Sequence, residues 1–473
     1  MMESEFDYRL NFSPKEGIQD KNSSEGIKKE LLYTLIAEKL WANFAQEIGF
    51  ENNISVVTAK NVIEKMLVRD ELYKREIKDK IEFNADEIQK AEFRFNRILK
   101  TTIYSSNDKN KLLELRNLFK ANSNLDNISL SIEKNKISCK NIDISFGDLP
   151  EAIENVIYNI GPKHSSNLIQ MDSIWNIFFI NNIIERKNEN VKDKDGSIKK
   201  INKVLKARKE ETNYNNFYSD FFRDIAVDAD GKLFNIISEI LSNIFTSKYQ
   251  NGLFGKDKNG NTVITFESDD LIEIMEKLGP KIIKEPFLRF SKNPIDVEIF
   301  LREIRFLSFN VTSPNIDIVK SKLNKEVKNF IKYELLARKG FEMNLQIVPN
   351  VQKWLKIWND NFLYQAIRNT ILNNDSVHLV ENLKIEDVIN EKNKILDIKS
   401  RDRYKTFIDK TIELSDKYKI KIDWEIFSKI KQGNINLFVY RNIGFGGRIA
   451  GVPTSEPFID WYLEKQKISL QNL

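Results

Sequence analysis

Cysteine, histidine, glycine and proline are all scarce in this 473-residue chain, and each scarcity closes a class of function. A single cysteine, Cys139, excludes an internal disulfide and any cysteine-based metal cluster. The two histidines, His164 and His378, stand alone without metal-ligand neighbours, and no Ser–His–Asp, Walker or zincin spacing occurs. Seventeen glycines and ten prolines point to long regular elements rather than sheets joined by tight turns. No run of about 18 uninterrupted apolar residues is present, so no membrane span is expected. The start, Met1-Met2-Glu3-Ser4-Glu5-Phe6, has neither a basic segment nor an apolar core, so no signal peptide is expected in this sequence. An excess of one charge is also lacking: 74 basic residues face 69 acidic ones. They interleave, as in Lys74-Arg75-Glu76 and Lys78-Asp79-Lys80, which makes a salt-bridged helix surface rather than a phosphate-binding stripe. No nucleic-acid partner and no cofactor are expected.

What is present is enough for a sizeable core, with 41% hydrophobic and 11% aromatic residues over a length that suits roughly three domains. The most informative feature is an echo. Lys28 to Ala45 (KKELLYTLIAEKLWANFA) returns near Leu323 to Gly340 (LNKEVKNFIKYELLARKG). Ile36 matches Ile331, Leu40 matches Leu335 and Ala42 matches Ala337, all at one offset (331 − 36 = 295). A repeated helix with a broad apolar face suggests a surface built twice, which fits a binding protein better than a single buried active site.

Along the chain, residues 1–26 read as a polar, extended or loosely ordered arm. Leu31, Leu32, Leu35, Ile36, Leu40, Trp41 and Phe44 predict an amphipathic helix from Ile27 to about Phe50, and Val62 to Ile81 a second from about Thr58. Asn84-Ala85-Asp86-Glu87 is a capped helix start. Strands are expected at Phe93–Leu99, Ile128–Ile132, Ile142–Ile144 and Ser173–Ile180, and helices at Lys109–Lys120 and Pro150–Tyr158. This block, about 93–187, reads as a small α+β domain. Arg186 to Glu211 is a linker or an exposed helix, and 213–245 is helical. Gly252, Gly255 and Gly260 mark a hairpin-like loop before Thr262–Phe266. The repeated helix at about 317–345 is followed, after Pro349, by another amphipathic helix with Val351, Trp354, Leu355, Trp358 and Leu363. A two-helix unit thus recurs in the same order.

These residues resemble the periplasmic foldases and chaperones of the SurA and PrsA type, which carry a parvulin (PpiC-type) prolyl isomerase domain. The helical signature is Leu35-Ile36-Ala37-Glu38-Lys39-Leu40 running into Ala45-Gln46-Glu47-Ile48-Gly49, then Arg69-Asp70-Glu71-Leu72 and Lys78-Asp79-Lys80-Ile81. The more specific part is Phe146-Gly147-Asp148-Leu149-Pro150, then Ile153, Val156, Tyr158 and Ile160, then Pro162, Ser166 and Trp175-Asn176-Ile177-Phe178. The resemblance covers about 27–187 and, more weakly, 300–473. It implies an α+β, mainly α-helical chain in four parts: a helical chaperone region (1–92), a parvulin-like domain (93–187), a mostly helical middle (188–300) and a second helical lobe with a C-terminal docking segment (301–473). It implies a periplasmic chaperone for unfolded or nascent envelope and outer-membrane proteins. Active parvulins keep two histidines, one in the first strand and one in the last, facing each other across the pocket. The corresponding positions here are Arg97 and Asn176, so a weakly active or inactive isomerase is implied, with an active isomerase using a rearranged site as the alternative.

Phe146, Leu149, Ile153, Tyr158 and Trp175 either line a groove for apolar peptide side chains or form the core of the small domain. Trp41, Trp354 and Trp358 face the same choice between client surface and core. Gly444-Phe445-Gly446-Gly447-Arg448 lacks the Lys-Ser/Thr and the following helix of a nucleotide loop, and reads as a tight turn docking on the body. Asp228-Ala229-Asp230-Gly231 has Leu233 where a calcium loop needs glycine, and reads as a capped turn.

Overall fold

Helical periodicity dominates the outcome: the chain is an α+β protein, 64% helix and 14% strand. The structure, a computed structural model, describes residues 2–13, 24–121, 125–186, 191–373, 400–431 and 439–471. His378 lies outside the described residues. The chain forms two compact units, residues 75–224 and residues 1–74 together with 225–473.

The N-terminal part of the discontinuous unit contains α1 (Glu3–Phe12), α2 (Ser24–Glu47) and α3 (Ile54–Tyr73). The polar composition of the first residues predicts an arm, but α1 is a helix. Phe6 and Leu10, four residues apart, are buried in the core, and Arg9 pairs with Glu38.

The continuous unit begins, after a π turn at Lys74–Lys78, with α4 (Ala85–Phe95), whose Asn84 and Glu87 form a reciprocal capping box. Strand β1 (Arg97–Ser106) starts later than Phe93 because that helix runs to Phe95. Helices α5 (Lys109–Lys120) and α6 (Leu125–Asn135) follow. The expected strand at Ile128–Ile132 is therefore helical. Of the alternating Ile128, Leu130 and Ile132, the first and last are four apart and share a helix face that packs against Leu112 and Leu115, while Leu130 is left exposed. After β2 (Ser138–Ile144), α7 (Glu151–Ile157), β3 (His164–Ser165), β4 (Ile169–Met171) and β5 (Ile174–Glu185), the sheet order is β2-β1-β5-β3, with β4 also on β5, all antiparallel. Successive residues of β5 point to opposite faces. Ile177 meets Leu112 and Leu115 of α5, whereas Phe178 and Ile180 meet Ile153, Ile157 and Tyr158 on and beside α7.

From Val191 the expected linker or exposed helix is a helix, α8 (Val191–Phe222). Ile201 and Leu205 pack with Ala91 and Phe146, and Arg208 pairs with the buried Glu154 at 2.8 Å. That packing carries the unit's edge from the expected residue 187 to residue 224. Gly147 sits at φ +94°, and the Val204 side chain lies 2.7 Å from where a β-carbon would stand, so the turn keeps glycine for both reasons.

The chain then completes the first unit with β6 (Asp228–Ala229), α9 (Gly231–Gln250), β7 (Gly255–Lys256), β8 (Thr262–Thr265), α10 (Ser268–Ile282), β9 (Pro286–Arg289), β10 (Ile295–Asp296), α11 (Val297–Phe306) and β11 (Asn310–Val311). Asp230 caps α9 through the Lys232 and Leu233 amides, so the Asp228–Gly231 turn is structural. Residues of this region and the first half of α12 (Ile316–Glu342) share one core, from Leu233 to Phe330. No boundary falls at residue 300. Helix α13 (Pro349–Asn373), α14 (Ser400–Lys417), α15 (Trp424–Lys429), the hairpin β12 (Tyr440–Asn442) and β13 (Arg448–Ala450), and α16 (Asp460–Gln471) complete it. Trp41 is core, stacked on Phe407 at 4.5 Å, and Trp354 and Trp358 are 9% exposed, so all three belong to the interior.

The sequence echo is a structural duplication. Helix α2 ends at Gly49 in the left-handed region (φ 69°, ψ 15°), and α12 ends near Asn344 in the same region (φ 56°, ψ 33°). Each is followed by a 3-10 turn, Phe50–Asn52 and Leu345–Ile347, then an extended residue, Asn53 (φ −58°, ψ 127°) or Val348 (φ −61°, ψ 131°). The next helix starts at Ile54 or Pro349, so the offset of 295 holds throughout the connector (349 − 54 = 295). Packing is reciprocal: α2 lies on α13, α12 lies on α3, and α3 and α13 meet. The equivalent pairs Lys39–Asp360 and Glu334–Lys65 are both ion pairs, at 2.9 and 2.8 Å, with polarity reversed.

Candidate functional site

Arg97 and Asn176, the two positions singled out by the resemblance, lie apart. Arg97 opens β1 opposite Glu185, and its guanidinium stacks 3.7 Å from the Phe93 ring and pairs with Glu185 at 3.1 Å. Asn176 lies opposite Ser105, whose hydroxyl donates to its Oδ1 at 2.6 Å. The eight-residue step from Arg97 to Ser105 is roughly 27 Å along a strand, so the two cannot share one hydrogen-bond network. His164 is exposed on β3, its Nδ1 2.9 Å from the Pro162 carbonyl oxygen.

The five candidate peptide-binding residues divide among three packing clusters. Phe146 packs with Ala91, Ile201 and Leu205, under the Arg208 guanidinium at 4.9 Å. Leu149, Ile153 and Tyr158 belong to the α7 face of the sheet. Trp175 belongs to the opposite, α5 face, with the Lys109 ammonium 4.9 Å over its ring. They therefore do not line one groove, and Phe146, Ile153 and Tyr158 are core residues. The Tyr158 hydroxyl is buried without a partner among the described residues. Burial, with Glu154 and Asp148 adding to it, raises its pKa.

A more open apolar site lies on the larger unit, between the N-terminal end of α2 and helices α15 and α16. It is a groove of about 1020 Å³ lined by Lys28, Tyr33, Trp424, Phe427, Tyr462 and Leu463 among others. Its walls are built by ordinary packing. Asp423 caps α15 through the Ile426 amide, which sets Trp424 and Phe427 edge to face at 5.5 Å. The Lys28 ammonium donates to the Phe427 carbonyl at 2.8 Å and covers that ring at 4.6 Å. Helix α16 is fixed by the fully buried Trp461, whose indole N–H donates to the Tyr33 carbonyl at 3.2 Å. Tyr462 then stacks on Tyr33 at 3.6 Å. Burial, together with Tyr462, raises the Tyr33 pKa. Trp424 remains 50% exposed and Leu463 41%, large apolar side chains that a core does not explain. Sequence reasoning missed this groove. Its one local signal is the Trp424–Phe427 spacing of three, and the residues meeting them come from nearly 400 positions earlier in the chain.

The Gly444–Arg448 turn docks as expected. Gly444 N–H donates to Asp70 Oδ1 at 3.0 Å, Arg441 pairs with the same carboxylate, and Phe445 lies edge-on to Tyr73 at 5.1 Å.

No family model, no curated protein and no solved structure matches this chain. Among the described residues no helix is long and apolar enough to cross a membrane.

Proposed function

We propose that the chain is an ATP-independent chaperone of the bacterial envelope that holds unfolded or nascent polypeptide segments. The unit at 75–224 is, in this reading, a parvulin-type module that has lost its chemistry. The observation that carries the reading is the aromatic groove around Trp424 and Leu463. It has a volume of about 1020 Å³, is lined by Tyr33, Trp424, Phe427, Tyr462 and Leu463, and carries Lys29 and Lys431 beside them. Such a surface buries exposed aromatic and aliphatic side chains at roughly 25 cal/mol per Å² and releases them without a nucleotide. The interleaved charges of the exterior keep a protein with such a patch soluble. One feature supports the module's assignment: the strand–helix–strand order over 97–185 accords with the resemblance. Arg97 and Asn176, at opposite ends of the β1–β5 ladder, form no paired site, and it is on this that the module is read as inactive.

The test is light scattering of a chemically denatured, aggregation-prone enzyme. The intact chain at near-equimolar ratio is expected to suppress aggregation, and Trp424→Ala with Leu463→Ala to weaken suppression several-fold while leaving the circular dichroism unchanged. Unaltered aggregation would overturn the reading. Catalysed cis/trans exchange of a proline-containing tetrapeptide would overturn the assignment of the module as inactive.

A further inference from the structure

The two copies of the helical hairpin allow an internal comparison at one buried position. In the first copy, Glu38 of α2 faces the neighbourhood of Tyr364 on α13. Glu38 is fully buried and saturated: it accepts Arg9 Nη1 at 2.5 Å and Nη2 at 2.8 Å, Asn361 Nδ2 at 2.9 Å and the Ser455 hydroxyl at 2.6 Å. An arginine brought in by α1 thus meets its carboxylate inside the fold.

At the offset of 295, Glu38 corresponds to Tyr333 and Tyr364 to Arg69. The second copy therefore places an arginine where the first has a tyrosine, and a tyrosine where the first has the carboxylate. Arg69 is 2% exposed, and its guanidinium lies 4.0 Å from the Tyr333 ring. Nη1 donates to the Gly446 carbonyl at 3.2 Å, but Nε is buried without a partner. Among the described residues no carboxylate lies within ion-pair distance of it, and the adjacent Asp70 is taken by Arg441 and the Gly444 amide. Burial pulls its pKa down to about 10, the sign of a cation held without sufficient compensation.

Beside Arg69 opens a cavity of about 320 Å³. Its apolar lining is Val62, Met66, Ile304, Leu307, Phe309 and Phe330. Its other charges are matched. Lys65 sits between Glu303 and Glu334 at 2.7 and 2.8 Å, Glu334 also accepts from Arg338 at 2.8 Å, and Lys322 pairs with Glu326 at 3.5 Å. What is left over is Arg69 and Arg448, the latter delivered by the Gly444–Arg448 turn and stacked on Tyr440 at 4.7 Å. Two guanidiniums with no carboxylate partner among the described residues thus share a cavity at the small end of the ligand-pocket range.

We propose that this cavity binds a carboxylate carried on a single apolar group, about the size of a phenylalanine or leucine side chain, with Arg69 and Arg448 holding the carboxylate. The bound carboxylate takes the place that Glu38 fills in the first copy. A polypeptide C-terminus and a free acid share this chemistry. The inference is independent of the aromatic groove.

Calorimetric titration of the intact chain tests it, with N-acetyl-phenylalanine, its amide, and a ten-residue peptide ending in phenylalanine as acid or amide. Both acids are expected to bind, and both amides at least tenfold more weakly. Tenfold tighter binding of the peptide acid than of the N-acetyl acid identifies polypeptide ends as the ligand, and equal binding identifies free acids. Arg448→Ala, at an exposed position, is expected to weaken the acids several-fold. Tyr333→Glu, which supplies the missing carboxylate internally, is expected to abolish acid binding while leaving the groove around Trp424 active. Acids and amides binding alike, no acid binding at millimolar concentration, or undiminished acid binding by Tyr333→Glu would each overturn the proposal.

Discussion

Gly340→Ala tests the duplicated packing most directly. Gly340 lies within α12, where an added β-carbon would stand 2.3 Å from Val68 Cγ1 and 3.4 Å from the Val68 carbonyl oxygen. Val68 is fully buried on α3 and, being β-branched, has one strongly preferred rotamer in a helix, so it cannot swing aside. The equivalent positions in the other copy are Ala45 and Leu363, where the branch lies one carbon further from the backbone. Alanine over glycine favours a helix interior by about 1 kcal/mol. Overpacking a core costs about 1–3 kcal/mol, and an approach of 2.3 Å belongs at the upper end of that range. The net expectation is a loss of about 2 kcal/mol. Five of the six tryptophans lie in the discontinuous unit, so their fluorescence in a urea titration reports its unfolding. With a slope near 3 kcal/mol per molar, the midpoint falls by about 0.7 M. Val68→Ala removes the obstructing methyls and costs stability alone, but costs about 3 kcal/mol less in the Gly340→Ala background, the whole overpacking term, a coupling that a double-mutant cycle resolves. A Gly340→Ala midpoint at or above that of the parent, or strict additivity, refutes the reasoning.

Two further outcomes follow from buried polar groups. Glu38→Gln leaves Arg9 buried without its counter-charge and is expected to cost about 3–5 kcal/mol at neutral pH. Burial alone would raise the Glu38 pKa, but Arg9, Lys39 and Ser455 outweigh it and hold the carboxyl below the ordinary 4.5. Its ionised form therefore stabilises the fold fully above pH 4.5, and this contribution is lost as acid reaches the lowered folded value; the urea-midpoint gap between parent and Glu38→Gln should close there, and a constant gap down to pH 3 contradicts it. Tyr158→Phe removes a buried hydroxyl that has no partner among the described residues. It is expected to leave the 75–224 unit as stable as before or up to about 1 kcal/mol more stable in hydrogen exchange, and a clear loss would reveal a hidden partner.

The helices were legible where one face is apolar over many turns. The echo at Ile36 and Ile331 survived because both copies turn the same ridge inward, Ile36 and Leu40 buried and Ile331 and Leu335 half-buried, and its offset carries into a connector that has no sequence similarity at all. Elements failed to read where a short pattern fits two periods, as at Ile128–Ile132, or where polar residues hide the two that matter, as with Phe6 and Leu10 in α1. The candidate site read less well. Phe146, Tyr158 and Trp175 are the right kind of residue for a groove, but alternation along β5 sends Trp175 to the opposite face from Tyr158. Arg69 carries no local signal, because the carbonyl that it meets is Gly446, 377 residues away.

The reversed ion pairs explain why such a site can hide in a duplicated scaffold. Lys39–Asp360 and Glu334–Lys65 occupy equivalent places with opposite polarity. Removing one partner of a buried pair costs about 3–5 kcal/mol, whereas exchanging both signs together preserves the attraction. What the packing enforces at these places is therefore neutrality, not residue identity. One helical turn further along α13 and α3 the same requirement applies to Tyr364 and Arg69. The first copy satisfies it internally, since Arg9 and Glu38 cancel. The second copy buries a guanidinium against a tyrosine ring, a neutral partner that offers a cation–π contact but no counter-charge. An uncompensated cation at a position whose twin is neutral is a standing cost to the fold, and an arriving carboxylate would relieve it, so ligand binding and stability at Arg69 should rise together.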